Sequence, residues 1–453
     1  MWNKVCEKIF IEYTEKLNSE KVRYFILRNH QGLPENNISK DVDVAVEPKD
    51  AKKALMMLKQ TYKRNGLKYY DEAIFNKTIC THGMGNGTGI HIDIVAGCVL
   101  KGYEVVPFEE LYNHVVPFKN FYILDELYDG VILLISKVFG FKNPMLKEKY
   151  KKEILECQRK NPIKFKAEMC KLFGDSFGSQ ITDLVENNEF DEILEEHKEI
   201  DKRLKKYARK KSRLKVLKDR TYFVWQKIDR VIFRYRKFKR TFAVLGPDGT
   251  GKTTFLEKII DKLNYYYVSD PTDNKFNIYH FRPTIFPNLG EIGEKAKVME
   301  QDKDFTNPHR RKPANPISSF FRIAYYTLDY ILGWQKCVRS DVRMDRYSIF
   351  DRYSYDLIVD PKRTRINLPK AIRKFFVWLT PRPGIVFILT ADADTIYSRK
   401  TELPKEEIER QLEEYEQLSN TNKRFVKIDS RKTPDEMADE ALRAVLEKYA
   451  SRR

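Results

Sequence analysis

Short apolar runs alternate with helical patterns in the second half of the chain. Five runs after residue 240 are typical of buried strands: TFAVL (241–245), NIYHF (277–281), YSIF (347–350), GIVFILT (384–390) and RFVKI (424–428). Between them, apolar residues recur at helical spacing, as Phe255, Ile259 and Leu263 do. This alternation predicts a parallel sheet whose two faces are covered by helices.

Strand patterns follow an N-terminal helical pattern in the first part of the chain. Residues 22–29, 41–47 and 89–97 carry the apolar positions of buried strands. The glycine-rich stretch 82–91 is interpreted as a hairpin between two strands, with a phosphate cradle as the alternative. We therefore predict an α+β domain over residues 1–104.

From about residue 105 the pattern becomes helical. The segment DELYDGVILLISKVFG (125–140) places Leu127, Val131 and Leu134 on one stripe, and further helical segments follow. We predict a helical subdomain and a basic linker over 105–235, and an α/β domain over 236–453. The last helix begins with Thr433, Pro434 and Glu436, which form a capping box with a first-turn proline.

Composition limits the classes of protein that fit. With 453 residues the chain is long enough for two or three domains, and its net charge of +19 favours contact with phosphates, nucleic acid or an anionic membrane surface. The N-terminus lacks a signal-type apolar core, and the most apolar later stretches are interrupted by Lys137, Arg322 and Asp329. With six scattered cysteines, these features predict a cytoplasmic protein with reduced thiols.

A phosphate-loop pattern stands between the first strand and the first helix of the third domain. The pattern Gly-x-x-x-x-Gly-Lys-Thr predicts a backbone that curls around phosphates, a lysine that reaches the β- and γ-phosphates, and a threonine that binds Mg²⁺. The alternative is a strand-to-helix turn that merely uses glycine. The predicted nucleotide-binding residues are Gly246, Pro247, Asp248, Gly249, Thr250, Gly251, Lys252, Thr253 and Thr254.

Two further segments of this domain carry charge suited to phosphoryl transfer. Asp351 follows an apolar strand and is predicted to hold Mg²⁺, and the adjacent Arg352 is suited to holding a phosphate. Arg399, Lys400 and Arg410 flank the start of a helical pattern and fit a basic lid over the transferring group.

Three aspartates of the first domain form a candidate metal site. Asp41 and Asp43 lie on one face of a predicted strand, and Asp93 lies on another. Adjacent carboxylates repel unless a cation lies between them, so the set is suited to a divalent ion. A solvated acidic strand end is the alternative.

The segment 202–240 supplies most of the positive excess and carries interleaved aromatic residues. A basic helix between domains, with its aromatics packed on the α/β domain over 236–453, is one interpretation. The alternatives are peripheral contact with an anionic membrane and, more weakly, nucleic-acid binding.

The motifs GPDGTGKTT (246–254) and DRYSYD (351–356), with an arginine-bearing lid and the last strand, resemble thymidylate kinase over residues 240–450. The resemblance implies that Asp248 faces the phosphoryl acceptor, that Arg352 contacts it, and that Arg399 and Arg410 are lid arginines. It also places Arg282 and Tyr353 on the substrate side. Gly249 stands where some thymidylate kinases place a catalytic arginine, so the lid would supply that charge.

The acids of the first domain resemble the polymerase-β type of nucleotidyltransferase, in which such residues hold two Mg²⁺ ions. Arg28-Asn29 and Gly32-Leu33 stand where that superfamily carries a Gly-Ser or Gly-Gly pair. The layout of the whole chain resembles thymidylate-kinase-like proteins fused to a nucleotidyltransferase-like domain, which occur in bacterial surface-polysaccharide gene clusters. The implied fold is a C-terminal P-loop kinase preceded by an α+β nucleotidyltransferase-like domain and a helical subdomain.

These resemblances imply an ATP- and Mg²⁺-dependent kinase that acts on a nucleoside monophosphate such as dTMP, or on a sugar or sugar phosphate. The alternative is a metal-dependent nucleotidyltransferase whose phosphate-loop domain is an ATP-binding switch. The oligomeric state stays open, with a homodimer as one option.

Overall fold

The computed structural model describes residues 2–39, 41–75, 77–85, 87–228, 240–266, 275–287, 313–343 and 346–450. It divides into two compact units, Met1–Asp229 with Tyr266–Val268, and Arg230–Tyr265 with Ser269–Arg453. We call them the first and the second unit and describe each by itself.

The first unit begins with a mixed sheet and, among the described residues, three helices. Its helices here are α1 (Lys4–Ser19), α2 (Ala51–Arg64) and the short α3 (Phe108–Tyr112). The strands are β1 (Tyr24–Ile26), β2 (Val42–Val46), β3 (Lys68–Phe75), β4 (Thr78–Gly85), β5 (Thr88–Ala96), β6 (Val99–Leu100), β7 (Tyr103–Glu104), β8 (Val115–Phe118) and β9 (Phe121–Leu124). Seven strands pair in the order β3-β4-β5-β2-β1-β9-β8, while β6 pairs with β7.

Alternation along the strands assigns each side chain to one face of this sheet. Val44 and Ile94 pack in a core with α1 and α2, whereas Ala45 and Val95 pack in a second core with the helices that follow. Because Asp43 lies two residues before Ala45, it shares the face of the second core. The predicted hairpin over 82–91 is confirmed, since β4 and β5 pair antiparallel with Gly85 opposite Thr88.

Seven further helices of the first unit lie in the described ranges. They are α4 (Glu126–Val138), α5 (Glu148–Lys160), α6 (Pro162–Phe173), α7 (Asp175–Glu186), α8 (Phe190–Glu195), α9 (His197–Lys211) and α10 (Arg213–Ile228). The expectation that the chain is helical from residue 105 is wrong for 115–124, where β8 and β9 extend the sheet. β9 pairs parallel with β1, and β8 pairs antiparallel with β9. The contact with β1 involves residues far away in sequence, which a local pattern does not reveal.

Residues 202–228 of the basic segment belong to the helices α9 and α10 of the first unit, apart from Ser212 between them. Here the aromatic Phe223 packs beside Gly102 of the first unit, whereas the expectation placed the aromatics on the α/β domain. Phe223 of α10 is buried, and Arg220 donates to the carbonyl of Lys101. Tyr222 and Trp225 are exposed, while Phe233, Tyr235 and Phe238 lie outside the described residues. Within the described ranges, no helix is both long enough and apolar enough to cross a bilayer.

The second unit is built on a parallel sheet. Its strands are β10 (Thr241–Leu245), β11 (Phe276–His280), β12 (Tyr347–Asp351), β13 (Ile385–Thr390) and β14 (Phe425–Asp429). They pair in the order β11-β12-β10-β13-β14, and every pairing is parallel. The predicted strands and the predicted parallel sheet are thus confirmed.

Helices cover both faces of this sheet. The described ones are α11 (Lys252–Tyr266), α12 (Pro316–Gly333), α13 (Arg339–Arg343), α14 (Asp356–Val359), α15 (Lys370–Leu379), α16 (Ala393–Arg399), α17 (Lys405–Ser419) and α18 (Pro434–Ala450), with a π-helical turn at Trp334–Val338. On one face Phe255 of α11 packs against Phe387 with ring centroids 5.7 Å apart. On the other, Tyr330 of α12 and Tyr415 of α17 share a core with Phe350.

A close contact between α6 and α7 generates a stability prediction. A Cβ at Gly178 would lie 2.5 Å from backbone atoms of Cys170 and Met169, and backbone cannot move aside as a side chain can. We expect Gly178→Ala to lower the free energy of unfolding by about 1–3 kcal/mol in urea titrations. Gln180→Ala, at an exposed position of the same helix, should change it by less than about 0.5 kcal/mol. Equal stability of the two variants would contradict the tight packing.

Candidate functional site

The phosphate-loop segment joins β10, the middle strand of the second sheet, to the start of α11. The chain continues from β10 to β11 and β12 on one side of it and then crosses to β13 and β14 on the other side. Ligands of open α/β sheets bind beyond the carboxyl ends of strands at such a point. The loop turns through positive φ at Gly249 (91°) and Gly251 (78°), a conformation that other residues adopt at a cost.

The side chain of Lys252 is folded back onto its own loop. Its Nζ donates to the carbonyls of Gly246 at 2.9 Å and Pro247 at 2.8 Å, and lies 3.5 Å from a carboxylate oxygen of Asp248. Burial, and after it the nearby Arg352 charge, lower the pKa of Lys252 to about 7. A buried amino group held mainly by carbonyls would gain both a stronger partner and its charge when an anion binds.

Asp248 lies between two arginines. One carboxylate oxygen contacts Arg352 and the other contacts Arg363. Burial acts to raise the pKa of Asp248, but the charges of Arg352, Lys252 and Arg363 outweigh it and hold that pKa well below its usual range. The carboxylate is thus ionised, and both of its oxygens are engaged.

Arg352 is fixed by a second carboxylate. Its Nη1 donates to Asp356 at 2.8 Å, and the other oxygen of Asp356 accepts from the hydroxyl of Tyr415 at 2.9 Å. Asp356 is 1% exposed and Tyr415 is fully buried. The chain reaches this arrangement through a positive φ of 70° at Arg352, a conformation that is uncommon for a residue with a side chain.

Asp351 ends β12, directly beside β10, with Val244 opposite it in the register. Its Oδ2 lies 3.3 Å from Nδ1 of His280. Its Oδ1 is buried and has no hydrogen-bond partner within the described part of the chain. An orphan carboxylate oxygen beside a phosphate loop is suited to a Mg²⁺ ion or to one of its waters.

The three threonines of the predicted loop differ in burial. Thr250 is buried and donates to the carbonyl of Pro247 at 2.9 Å. Thr253 and Thr254 are exposed in the first turn of α11, where the backbone N–H groups of a helix have no intrahelical partner. The hydroxyl of Thr253 is therefore accessible to a metal ion.

Two predicted substrate residues are part of the core. Tyr353 is fully buried, and its hydroxyl donates to the carbonyl of Pro381 at 2.5 Å. Arg282 is 4% exposed and forms an ion pair with Asp329 at 2.8 Å. Both side chains satisfy internal partners, so this placement does not favour direct substrate contact by either.

The two predicted lid arginines are also engaged away from the phosphate loop. Arg399 donates to the carbonyl of Ser430 at 2.9 Å, and Arg410 pairs with Glu407 at 2.6 Å. Of the three basic residues predicted for the lid, Lys400 lies beside the loop, because a Cβ added at Gly249 would lie 3.2 Å from the Cβ of Lys400. The lysine between the two predicted positions thus supplies positive charge beside the loop.

Arg363 is the functional candidate that the sequence reasoning missed. It lies in the loop between α14 and α15, where Asp360 accepts from its Nε at 3.2 Å. The motif DRYSYD ends at residue 356. Arg363 lies beyond it in a basic loop, and no motif around it marks it as a site residue. Only the fold brings this guanidinium to Asp248.

The three aspartates of the first unit do come together. Asp43 and Asp93 are directly opposite in the parallel pairing of β2 and β5, and ligand atoms of Asp41, Asp43 and Asp93 all lie within 4.8 Å of one another. Arg28 donates to Asp43 at 2.7 Å, and Nε2 of His91 lies 2.8 Å from Asp93. We call these three residues the acid cluster.

Charge and burial act together on the acid cluster. Burial, and then the charges of Asp41 and Asp93, raise the pKa of Asp43 to about 6 although Arg28 opposes the shift. Burial also acts to raise the pKa of Asp41, but the charges of His91 and Arg28 outweigh it and lower that pKa. Mutual repulsion of this kind is relieved when a divalent cation binds.

The acid cluster lines one end of a cavity of about 340 Å³. Most of its wall is apolar and includes Val95, Ile132 and Ile135, while Arg28 and Lys137 supply positive charge. An apolar cavity with convergent polar groups is typical of a small-molecule site.

No protein-family model matches this chain, and no curated protein matches it by sequence.

The arrangement around Arg352 generates a prediction. Tyr415→Phe removes one donor to the buried carboxylate of Asp356, so we expect the free energy of unfolding to fall by about 1–3 kcal/mol. Urea titration measures this change. Tyr397→Phe, at a residue that is 42% exposed, is the matched control. If both variants unfold at the same urea concentration, the bond from Tyr415 does not hold Asp356 in place.

Proposed function

We propose that the second unit binds ATP with Mg²⁺ and transfers the γ-phosphoryl group to a small acceptor. The observation that carries this proposal is Lys252, a buried cation whose hydrogen bonds go to the carbonyls of its own phosphate-loop segment. A triphosphate would offer this lysine a stronger partner than the carbonyls. The exposed first turn of α11 would add backbone N–H groups and the positive end of the helix dipole.

The residues present fit a Mg²⁺ ion. Thr253 and Asp351 are the proposed ligands, because the Thr253 hydroxyl is accessible and Oδ1 of Asp351 is buried without a partner among the described residues. When bound, the ion neutralises phosphate oxygens as charge develops on them.

Asp248, Arg352 and Arg363 form the proposed acceptor side. A phosphate on the acceptor is already ionised and needs no base, and it would compete with Asp248 for the two guanidinium groups. A sugar hydroxyl would need a base, and Asp248 is a weak one while both of its oxygens are held by arginines. A phosphorylated acceptor, such as a nucleoside monophosphate or a sugar phosphate, is therefore favoured over a free sugar.

The resemblance to thymidylate kinase supports dTMP as one acceptor to test. The resemblance to fused proteins of surface-polysaccharide clusters supports sugar phosphates as the other class. In this proposal the segment that holds α16 and α17 closes as a lid, with Lys400 beside the loop and Arg399 and Arg410 turning inward only when phosphate is bound.

Calorimetry with Mg·ATP tests nucleotide binding. Lys252→Ala should abolish the binding heat, whereas Lys258→Ala, on the same helix but 42% exposed, should keep it. The pKa of Lys252 is about 7 in the free protein, so most of this lysine is neutral at pH 8. Bound phosphates should raise that pKa, so that Lys252 takes up a proton when Mg·ATP binds. Repeating the titration in buffers of different ionisation enthalpy measures this uptake. Intact protein that gives no heat would overturn the proposal.

ADP release tests the acceptor. We expect release to depend on a phosphorylated acceptor when the protein is offered Mg·ATP with dTMP, sugar phosphates and the free sugars. Arg363→Gln should raise the acceptor KM by at least about tenfold, since a bond to a charged group is lost, and should leave ATP binding unchanged. Turnover of free sugars alone would contradict the assigned role of Asp248 and its arginines.

A specific observation favours a second candidate function, metal-dependent nucleotidyl transfer in the first unit. The acid cluster is preformed within 4.8 Å and lines a cavity of about 340 Å³. Asp41, Asp43 and Asp93 are the proposed ligands. Arg28 is the proposed phosphate contact, because a metal ion that takes Asp43 would release it.

Substituting the acid cluster separates the two functions. Asp41→Asn with Asp43→Asn should abolish Mn²⁺ binding to the first unit, measured by electron paramagnetic resonance, and leave ADP release by the second unit intact. Glu192→Gln with Glu195→Gln, both exposed on α8, matches the change in charge. Pyrophosphate release from ATP that is lost in the acid-cluster variant and kept in the control would favour nucleotidyl transfer as the main activity.

A further inference from the structure

The helix α10 has two opposite faces of different character. One face packs on the rest of the first unit through four buried residues: Val216, Asp219, Phe223 and Gln226. The opposite face carries five exposed apolar residues: Leu214, Leu217, Val224, Trp225 and Ile228. At 3.6 residues per turn these five fall within about 100° of the helix circumference. We call them the α10 stripe.

Basic residues border the α10 stripe on both sides. Helical spacing places two of them along one border and three along the other: Lys215 and Lys218, then Arg213, Arg220 and Lys227. All of these are exposed except Arg220, which is half-buried. The exposed side of α10 thus has an apolar centre between two positive borders.

Acidic residues do little to cancel this charge. The single acid of α10, Asp219, lies on the buried face, where it is 3% exposed and pairs with Lys77 at 2.6 Å. One border residue, Lys215, pairs with Glu104 of β7. The accessible charge of α10 itself is therefore entirely positive, which makes the helix complementary to an anionic surface.

An apolar stripe with basic borders is typical of helices that lie in the plane of a membrane surface. The apolar side chains enter the boundary between headgroups and acyl chains, while long Lys and Arg side chains reach the headgroups beside it. Two aromatic residues of α10, Trp225 and Tyr222, flank Lys218 on the helix surface and are exposed. Trp and Tyr favour this interface because their rings have one apolar and one polar side.

We propose that α10 lies on the surface of an anionic lipid bilayer, with the α10 stripe toward the acyl chains and the basic borders against the headgroups. This surface binding goes beyond the two transfer reactions proposed above.

Two other occupants fit the helix less well. Nucleic acid is held by bonds to phosphates and by stacking on bases, and the aliphatic Leu214, Leu217 and Val224 can form neither. A second copy of the helix would bring its own basic borders against these, so that like charges oppose the contact. An anionic bilayer matches both the apolar centre and the borders.

Co-sedimentation of the full chain with lipid vesicles tests the inference. We expect saturable binding to vesicles of phosphatidylcholine and phosphatidylserine in equal amounts. Binding to phosphatidylcholine alone should be weaker by at least about tenfold, and added salt should weaken binding to the anionic vesicles, because headgroup charge attracts the basic borders.

Substitutions in the α10 stripe test the apolar contact. Leu214→Gln with Leu217→Gln should weaken binding to the anionic vesicles by at least about tenfold, since two side chains no longer enter the apolar boundary. The two leucines are 82% and 63% exposed, so the thermal midpoint should stay unchanged. Ile163→Gln with Met145→Gln, at positions that are 85% and 73% exposed, is the matched control and should bind as the unmodified protein does.

Substitutions in the borders test the charge. Arg213→Gln with Lys218→Gln should weaken binding to the anionic vesicles by at least about tenfold, because each basic residue near such a surface contributes about fivefold. Lys164→Gln with Lys166→Gln, both exposed on α6, removes the same charge elsewhere and should have a smaller effect.

Trp225 gives a direct readout of depth. Anionic vesicles with brominated acyl chains should quench the tryptophan fluorescence of the unmodified protein more than that of Trp225→Phe. Three outcomes would overturn the inference: no saturable binding to anionic vesicles, binding that Leu214→Gln with Leu217→Gln leaves unchanged, and equal quenching in the Trp225→Phe protein.

Two further results would assign α10 to another occupant and so also overturn the inference. One is binding of a DNA duplex that depends on Arg213 and Lys218, without vesicle binding. The other is self-association without lipid that depends on Leu214 and Leu217. Because α10 contains no residue of the phosphate loop or the acid cluster, ADP release without lipid should be equal in all these variants. Failure of this inference is therefore distinguishable from failure of either transfer proposal.

Discussion

The pairing of Arg352 with two aspartates is the constraint on which the candidate site of the second unit depends. A buried guanidinium is stabilised only when its charge is matched and its N–H groups are bonded. Asp356 fixes one edge of Arg352, and Asp248 takes the other. The phosphate-loop segment after β10 is thereby tied to the end of β12, and Tyr415 extends the tie to α17. Removing Arg352 would leave the buried carboxylate of Asp356 without the cation that it pairs with in the described part of the chain.

In the first unit, by contrast, buried charge is only partly neutralised. Its acid cluster concentrates negative charge at one point of a sheet and neutralises it only in part, through Arg28 and His91. The negative charge that Arg28 and His91 do not neutralise contributes, with burial, to the raised pKa of Asp43. Charge left unmatched in a buried place is common at functional sites, where a ligand completes the match.

Local sequence patterns predicted much of this structure. Five apolar runs located the strands of the second sheet, and glycine spacing located the loop before α11, because both signals lie within a few residues. Alternation along β2 also placed Asp41 and Asp43 on one face. What the patterns could not predict is set by long-range contacts. The strands at 115–124 join the sheet through the pairing of β9 with β1, and Arg363 reaches Asp248 from a loop. Tyr353 packs in the apolar core, whereas the neighbouring Arg352 pairs with Asp248.

The register between β2 and β5 has a thermodynamic consequence. Asp43 and Asp93 become neighbours only when these two strands pair, so an unfolded chain does not contain their mutual repulsion. Any divalent ion that recognises the three carboxylates would therefore bind the native state and ignore the denatured one. Such selective binding makes conformational stability depend on the logarithm of metal concentration, so that folding of the first unit would itself report on the supply of the ion.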